Sequence, residues 1–258
     1  MSDLDLAGAT ALVTGASRGL GRGIAGALSA SGARVVGVAR DHGRLEAVRA
    51  ELGDSFTPVP ADAADPTVAG QLIDAYRPRV LVLGAGATPL PRPVQQHTWQ
   101  TFSRNWDVDV QHVFNWTREA LLAPLAPGSI VLTLSSAAAL RGSPLSGGYA
   151  GAKATIRFLT AYAAAESERE ALGIRFVSVL PQLTPATALG APFVAAYAAR
   201  QGLDAATYAD AQGLALTPEQ AGKAITELVT ELVTGSHPDQ DAYLLTAAGL
   251  RPLTLETR

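Results

Sequence analysis

Short apolar runs rich in β-branched residues alternate with amphipathic stretches along nearly the whole chain, and that alternation restricts the available folds severely. The runs lie at 9–13, 34–39, 56–60, 80–83, 129–134, 175–180 and 242–246, and the helical stretches at 19–30, 43–52, 68–76, 99–122, 149–171 and 218–234. Strands joined by helical crossovers pair in parallel, and such a sheet is covered on both faces. Right-handed crossovers then wind it doubly. The expected fold is α/β, a doubly wound parallel seven-stranded sheet of the Rossmann type in a single domain, 1–258. Ligands of such sheets sit beyond the carboxyl ends of the strands. The one long irregular stretch, alanine-rich 185–217, predicts a mobile lid over that edge.

Composition narrows the function classes. The chain has 258 residues, 48% hydrophobic and 17% charged, enough for one domain with a large core. A net charge of -3 and a pI near 5.8 supply no electrostatic footprint for nucleic acid or an anionic membrane. No apolar run approaches the roughly 20 residues of a membrane-spanning helix. The first fifteen residues carry two acids and no basic segment, so no signal peptide is expected. Cysteine is absent, which excludes disulfides and thiolate chemistry and fits a cytoplasmic protein.

The first strand runs directly into Thr14-Gly-Ala-Ser-Arg-Gly-Leu-Gly21 and then into a helix. Gly15 permits the tight turn, and Gly19 and Gly21 let backbone and helix N-terminus approach a pyrophosphate. The second strand ends Gly37-Val38-Ala39-Arg40. An acid at that end would accept from the ribose 2′-hydroxyl of NAD. Here Arg40, with Arg18 inside the glycine turn, suits the dianionic 2′-phosphate, so NADPH is expected over NADH.

Tyr149 and Lys153 stand four residues apart, one helical turn, at the start of a helix after Gly147-Gly148. A free phenol has a pKa of about 10, and a neighbouring ammonium stabilises the phenolate and brings it toward working range. Ser136, thirteen residues before the tyrosine at the end of a strand, offers a hydroxyl to a substrate oxygen.

These two halves together resemble the short-chain dehydrogenase/reductase family over nearly the whole chain. The resemblance implies an NAD(P)-dependent oxidoreductase that reduces a carbonyl, or oxidises a secondary alcohol, on an apolar small molecule. It makes Tyr149 the proton donor, Ser136 the carbonyl-positioning residue and Lys153 also a grip on the nicotinamide ribose. It selects Ser136 over Ser135, which serves to cap or satisfy the turn. It places Ser17, Leu20, Asp62, Ala63 and the turn Gly84-Ala85-Gly86 at the cofactor, with Asp62 accepting from the adenine amino group. It also implies association through the long helices as a homotetramer, with a dimer as the alternative.

The departures from the family pattern carry information of their own. Leu83-Gly84-Ala85-Gly86 stands where Asn-Asn-Ala-Gly is usual, so the backbone turn survives without the asparagine contacts. Asp109 replaces the asparagine of the family's proton relay. Pro181-Gln182 replaces Pro-Gly, and the threonine for the nicotinamide amide becomes Thr184 or Thr187. Thr246-Ala-Ala-Gly249 replaces the usual Asp-Gly-Gly. Leu90, Leu140, Leu145, Leu189 and Phe193, with Gln182, are the candidate substrate wall. Two rival readings remain: reduction of a C=N or activated C=C bond on the same scaffold, and a catalytically weak dinucleotide sensor. His42, His97, His112 and His237 lack metal-ligand spacing and read as surface or local packing residues, so no metal site is expected. Trp99 and Trp106 have the heptad-like spacing of core or subunit packing.

Overall fold

The computed structural model describes residues 6–235 and 240–253. Its strands are β1 (Thr10–Thr14), β2 (Arg34–Ala39), β3 (Phe56–Pro60), β4 (Val80–Leu83), β5 (Ile130–Leu134), β6 (Arg175–Pro181), β7 (Ala242–Thr246) and β8 (Gly249–Pro252). Among the described residues they form one sheet in the order β3-β2-β1-β4-β5-β6-β7-β8. The first seven pair in parallel, with Leu12 opposite both Val36 and Leu81. The eighth is antiparallel to β7, a correction to the expected seven-stranded sheet. Ala247 and Ala248 carry no turn signal, yet Thr246 Oγ1 accepts from the Ala248 amide at 3.2 Å and Gly249 adopts φ +104, which reverses the chain.

The helices are α1 (Gly19–Ala30), α2 (His42–Leu52), α3 (Pro66–Tyr76), α4 (Trp99–Asn105), α5 (Gln111–Leu122), α6 (Gly147–Arg169), α7 (Gly190–Arg200), α8 (Ala205–Ala211) and α9 (Pro218–Thr234). Alternation along β1 sends Ala11 and Val13 to one face and Leu12 to the other. On the first face Ile24 of α1 and Ile225 and Val229 of α9 complete the core. On the second, Trp116, Ile156 and Phe176 do so. Each large side chain so buried stabilises the fold by about 1.5–3 kcal/mol.

Element ends fall within two residues of expectation except in two places. The single helix expected at 99–122 is divided by a π-helical turn, Trp106–Val110. Asn105 just before this turn and Asp109 on it bind the loop after β4: Asn105 Nδ2 donates to the Ala87 carbonyl at 2.9 Å and Asp109 Oδ1 accepts from the Ala87 amide at 2.7 Å. A bulge of this kind often marks a functional site. The stretch 185–217 is also not irregular. It contains α7 and α8, built from alanine-rich sequence of high helix propensity, and Asp204 caps α8 by accepting from the amides of Ala206 and Thr207 at 3.0 Å.

Candidate active site

One cleft of about 1170 Å³ runs along the carboxyl ends of the strands. At one end β1 enters the glycine turn. Gly15 has φ +75, and a Cβ there would lie 2.9 Å from the Gly84 carbonyl oxygen. A Cβ at Gly21 would lie 2.3 Å from the Gly15 carbonyl oxygen, backbone against backbone. Glycine is therefore required for α1 to start this close to the strand. The N-cap residue Arg18 supplies no side-chain cap, so the amides opening α1 face the cleft edge as an anion site.

Four arginines line this end: Arg18, Arg22, Arg40 and Arg44. Arg22 is paired with Glu51, and Arg44 with Asp41 at 3.0 Å. Asp41 also caps α2, accepting from the Arg44 amide at 3.0 Å, so the acid that follows Arg40 is committed to the helix. Arg18 and Arg40 form no ion pair among the described residues. Ser17, Leu20, Asp62 and Ala63 line the same end. Asp62 accepts from the Ala64 amide at 3.0 Å, and the Ala63 carbonyl takes the indole N–H of Trp116 at 2.8 Å.

The middle of the cleft is a dense polar cluster. Buried Thr14 accepts from the amides of Gly84 and Ala85 through Oγ1, at 2.9 and 3.3 Å, which fixes the turn that ends at Gly86. A Cβ on Gly86 would fall 2.8 Å from Asp109 Oδ2. Asp109 is 1% exposed, and its Oδ2 lies 3.1 Å from the Lys153 ammonium. Lys153 Nζ also donates to the Leu134 carbonyl at 3.1 Å and stands 5.6 Å from the Tyr149 ring centroid. Burial disfavours the Lys153 ammonium, but the Asp109 carboxylate and Tyr149 outweigh it and hold the lysine above its ordinary pKa. The displaced asparagine position thus puts a carboxylate directly against the lysine.

His112 completes the cluster, a place its sequence context alone does not assign to it. It is fully buried, with Nε2 3.0 Å from Thr14 Oγ1 and Nδ1 without a hydrogen-bond partner. Burial and then the nearby Lys153 charge push it down to about 3 from 6.5. Its signal in the sequence was its spacing: three residues after Asp109, hence on the same helix face.

At the other end, Ser136 follows β5 in extended conformation and accepts from the Ala138 amide at 3.2 Å, which leaves its hydroxyl hydrogen free. Ser135 is buried and donates to the Lys153 carbonyl at 2.8 Å, so it anchors α6 to the sheet. Tyr149, Pro181, Gln182, Thr184, Thr187, Leu189 and Phe193 all line the cleft. Thr184 Oγ1 donates to the Leu216 carbonyl, and Thr187 Oγ1 accepts from the Gly190 amide at 3.0 Å. Leu90, Leu140 and Leu145 do not reach the lining; Leu140 is 39% exposed and Leu145 is buried. Tyr197 and Tyr208, also unforeseen, take their place.

The remaining histidines and tryptophans sort differently. His97 Nδ1 bonds Thr101 Oγ1 at 3.1 Å beside Phe102, His42 lies near Glu46 on the surface, and His237 lies outside the described residues. Among the described residues no group of three His, Cys, Asp or Glu could hold a metal ion. Of the tryptophans only Trp116 is core; Trp99, the first residue of α4, stacks on Phe102 at the surface, and Trp99 and Trp106 are 77% and 39% exposed. Among those residues, too, no helix is long and apolar enough to cross a membrane.

A glycine-built dinucleotide cradle joined to a serine, tyrosine and lysine in one cleft defines a nicotinamide-dependent oxidoreductase. The chain belongs to the short chain dehydrogenase family, whose model matches residues 9–197. L-xylulose reductase of Bos taurus is 32% identical over 71% of this chain and 75% of its own. Carbonyl reductase [NADPH] 2 of Sus scrofa is 33% identical over 50% of this chain and 53% of its own. Among solved structures, a putative NAD(P) dependent gluconate 5-dehydrogenase from Beutenbergia cavernae with bound NADP superposes with a TM-score of 0.77. It is 27% identical and covers 95% of this chain and 97% of its own. A 3-ketoacyl-(acyl-carrier-protein) reductase from Brucella melitensis complexed with NADH gives 0.72, at 26% identity over 87% and 91%.

Proposed function

We propose that the protein is an NADPH-preferring reductase of a carbonyl on a neutral, largely apolar small molecule. The observation that carries this reading is the placement of Ser136, Tyr149 and Lys153 in the same cleft as the glycine turn. The cradle fits a dinucleotide, since Cβ atoms at Gly15 and Gly21 would close it. Arg18 and Arg40 are the two uncommitted cations there, which favours a 2′-phosphate. When bound, the nicotinamide supplies the hydride; Tyr149 gives its hydroxyl proton to the same C=O group, which becomes CH–OH.

The chain's own residues do the rest. Ser136 donates to the carbonyl oxygen with the hydrogen its capping bond leaves over. Lys153 has two ammonium hydrogens engaged by Leu134 and Asp109, and the third is left for ribose hydroxyls. Asp109 positions the lysine and holds it charged. Residues 185–217 form a lid tied back by Thr184 and by Gln182, whose Nε2 donates to the Gly213 carbonyl at 3.0 Å. The exposed faces of α5 and α6 carry Phe114, Leu122, Phe158 and Tyr162, each at least half exposed, and we assign this surface to a homotetramer or dimer. Light scattering that shows only monomer at micromolar concentration would defeat the assembly. A cytoplasmic location fits the cysteine-free composition.

NADPH consumption against a panel of ketones, ketoses, imines and activated alkenes tests the activity. Turnover of carbonyl compounds is expected; turnover confined to imines or alkenes, or none, rejects it.

A further inference from the structure

The substrate end of the cleft is walled by aromatic rings in a row that begins at the proton donor. Tyr149 and Phe193 have ring centroids 6.2 Å apart, Phe193 and Tyr197 again 6.2 Å, and Tyr197 and Tyr208 6.2 Å at an interplanar angle of 19°. Phe193 and Tyr208 are buried, at 4% and 9% exposure, so the row is a rigid surface backed by protein. It does not fray into solvent.

Charge is confined to the other parts of the cleft. Arg18, Arg22, Arg40, Asp41, Arg44 and Asp62 stand around the glycine turn, and Glu219 opens α9, which packs on α1. Asp109 and Lys153 neutralise each other in the middle. No charged side chain of segments 134–149 and 181–208 lines the cleft. A carboxylate or phosphate on the substrate would be desolvated there without a partner. A chain of hydroxyls would leave the ring faces of Phe193 and Tyr197 without an apolar partner.

The far end of the row offers one polar handle. Ser143 Oγ donates to Ser146 Oγ at 2.9 Å and accepts from the amides of Leu145 and Ser146, at 3.3 and 3.1 Å. Ser143 Oγ also bonds the Tyr197 hydroxyl, and either oxygen can be the donor in that bond. Whichever donates, the Tyr197 hydroxyl keeps a further hydrogen bond to offer within the cleft, two rings along from Tyr149.

We infer that the substrate is a neutral aryl ketone or aldehyde that lies flat along the Tyr149–Phe193–Tyr197 row, with a hydroxyl at its far end hydrogen-bonded to that of Tyr197. Aromatic faces favour offset or edge contacts with another ring, and a flat ligand loses little conformational freedom on entering. Ser136 and Tyr149 take the carbonyl at one end; Tyr197 and Phe193 are the specificity-determining residues at the other. This rests on the carbonyl-reductase reading, so binding and turnover are measured separately.

The probes are acetophenone and acetylnaphthalene, each with and without a hydroxyl at the end remote from the ketone, acetylbenzoate, and a pentulose. Calorimetry on the enzyme saturated with NADP gives binding, and kcat/KM with NADPH gives turnover. The hydroxylated aryl ketones should bind best, roughly tenfold tighter than their unsubstituted parents. Acetylbenzoate and the pentulose should bind at least tenfold more weakly than the hydroxylated compounds. Tyr197→Phe should abolish the ratio between hydroxylated and parent ketones, and Phe193→Leu should weaken both members of each pair several-fold. NADPH affinity should be unmoved in both variants, which verifies that they fold. A pentulose or acetylbenzoate that binds as well as the aryl ketones overturns the inference, as does an unchanged ratio in Tyr197→Phe. Aryl ketones that bind by this pattern while no carbonyl compound is reduced would leave the inference standing and reject the reductase reading instead.

Discussion

The two ends of the cleft are built from different materials. The dinucleotide end is made of backbone: a turn whose glycines permit close approach, helix amides left uncapped, and the carbonyls of Gly15 and Gly84, which follow β1 and β4, close against Gly21 and Gly15. The substrate end is made of side chains carried by separate elements, with Ser143 before α6, Tyr149 on it, Phe193 and Tyr197 on α7 and Tyr208 on α8. A backbone site has few solutions, and its residues lie within a short run of sequence. A side-chain wall can be assembled in many ways, so its identity resides in packing. The difference explains how one scaffold keeps a cofactor while its substrates vary.

The largest effect should come where the two ends meet. Tyr149→Phe removes only a hydroxyl, and its ring contact with Phe193 can persist. Turnover should fall by a factor on the order of 10²–10⁴, chiefly in kcat, with NADPH affinity unchanged. A variant that turns over near the wild-type rate would show that the proton comes from elsewhere. The comparison would then lose its junction.

Arg40→Asp probes the dinucleotide end alone. Each charge-assisted bond is worth about 1.5–3 kcal/mol, so the preference for NADPH should fall by roughly 10- to 100-fold in kcat/KM. Discrimination among carbonyl substrates should stay as it was. An unchanged cofactor ratio, or a wild type that favours NADH, would mean that the free guanidinium groups do not read the 2′-phosphate.

How much of this could be read in the chain follows the same division. Gly15, Gly19, Gly21, Arg18 and Arg40 are legible because strand, turn and helix follow one another without interruption. Tyr149 and Lys153 are legible because the i, i+4 spacing on a helix is itself a geometry. The π turn at Trp106–Val110 is not, since one widened turn leaves the hydrophobic pattern nearly intact while it rotates everything beyond it. Alanine-rich 185–217 reads as irregular when only apolar stripes are sought; its helices rest on propensity and on the cap at Asp204. Strand β8 depends on a turn closed by a threonine hydroxyl, a local bond with weak sequence signature.

His112 tests whether the polar middle holds the two ends in place as a neutral element. Its folded pKa lies near 3 and its unfolded value at 6.5, so the unfolded chain binds one more proton anywhere between. Stability should therefore fall as pH drops below 6.5 and level off toward 3, with a loss of about 2 kcal/mol from this residue near pH 5. Lys153, whose charge acts on the ring, keeps its proton across this range, since its pKa is raised. His112→Asn should flatten the slope of unfolding free energy against pH by about one proton, whatever its effect on overall stability. Equal slopes from urea titrations of the two proteins would show that the imidazole protonates without opening the site.

Asp109→Asn should have the smallest effect and the most diagnostic one. The substitution is nearly isosteric, and an amide oxygen can still accept from the Ala87 amide. The charge opposite Lys153 is what disappears. With the carboxylate present, losing a proton from either Lys153 or Tyr149 leaves a less favourable local field, so the proton-donating form persists to higher pH. Without it, burial acts on Lys153 unopposed by Asp109, and the lysine acts on Tyr149 undiminished. Both changes carry the same sign. The upper limb of the pH–rate profile for reduction should move to lower pH, where a tenfold change in the midpoint proton concentration corresponds to about 1.4 kcal/mol. The ratio of NADPH to NADH and the ranking of substrates should stay constant. Profiles that superpose would mean that this carboxylate holds the loop after β4 and takes no part in proton delivery. A limb that moves upward would require the lysine to be stabilised by something other than the group 3.1 Å away.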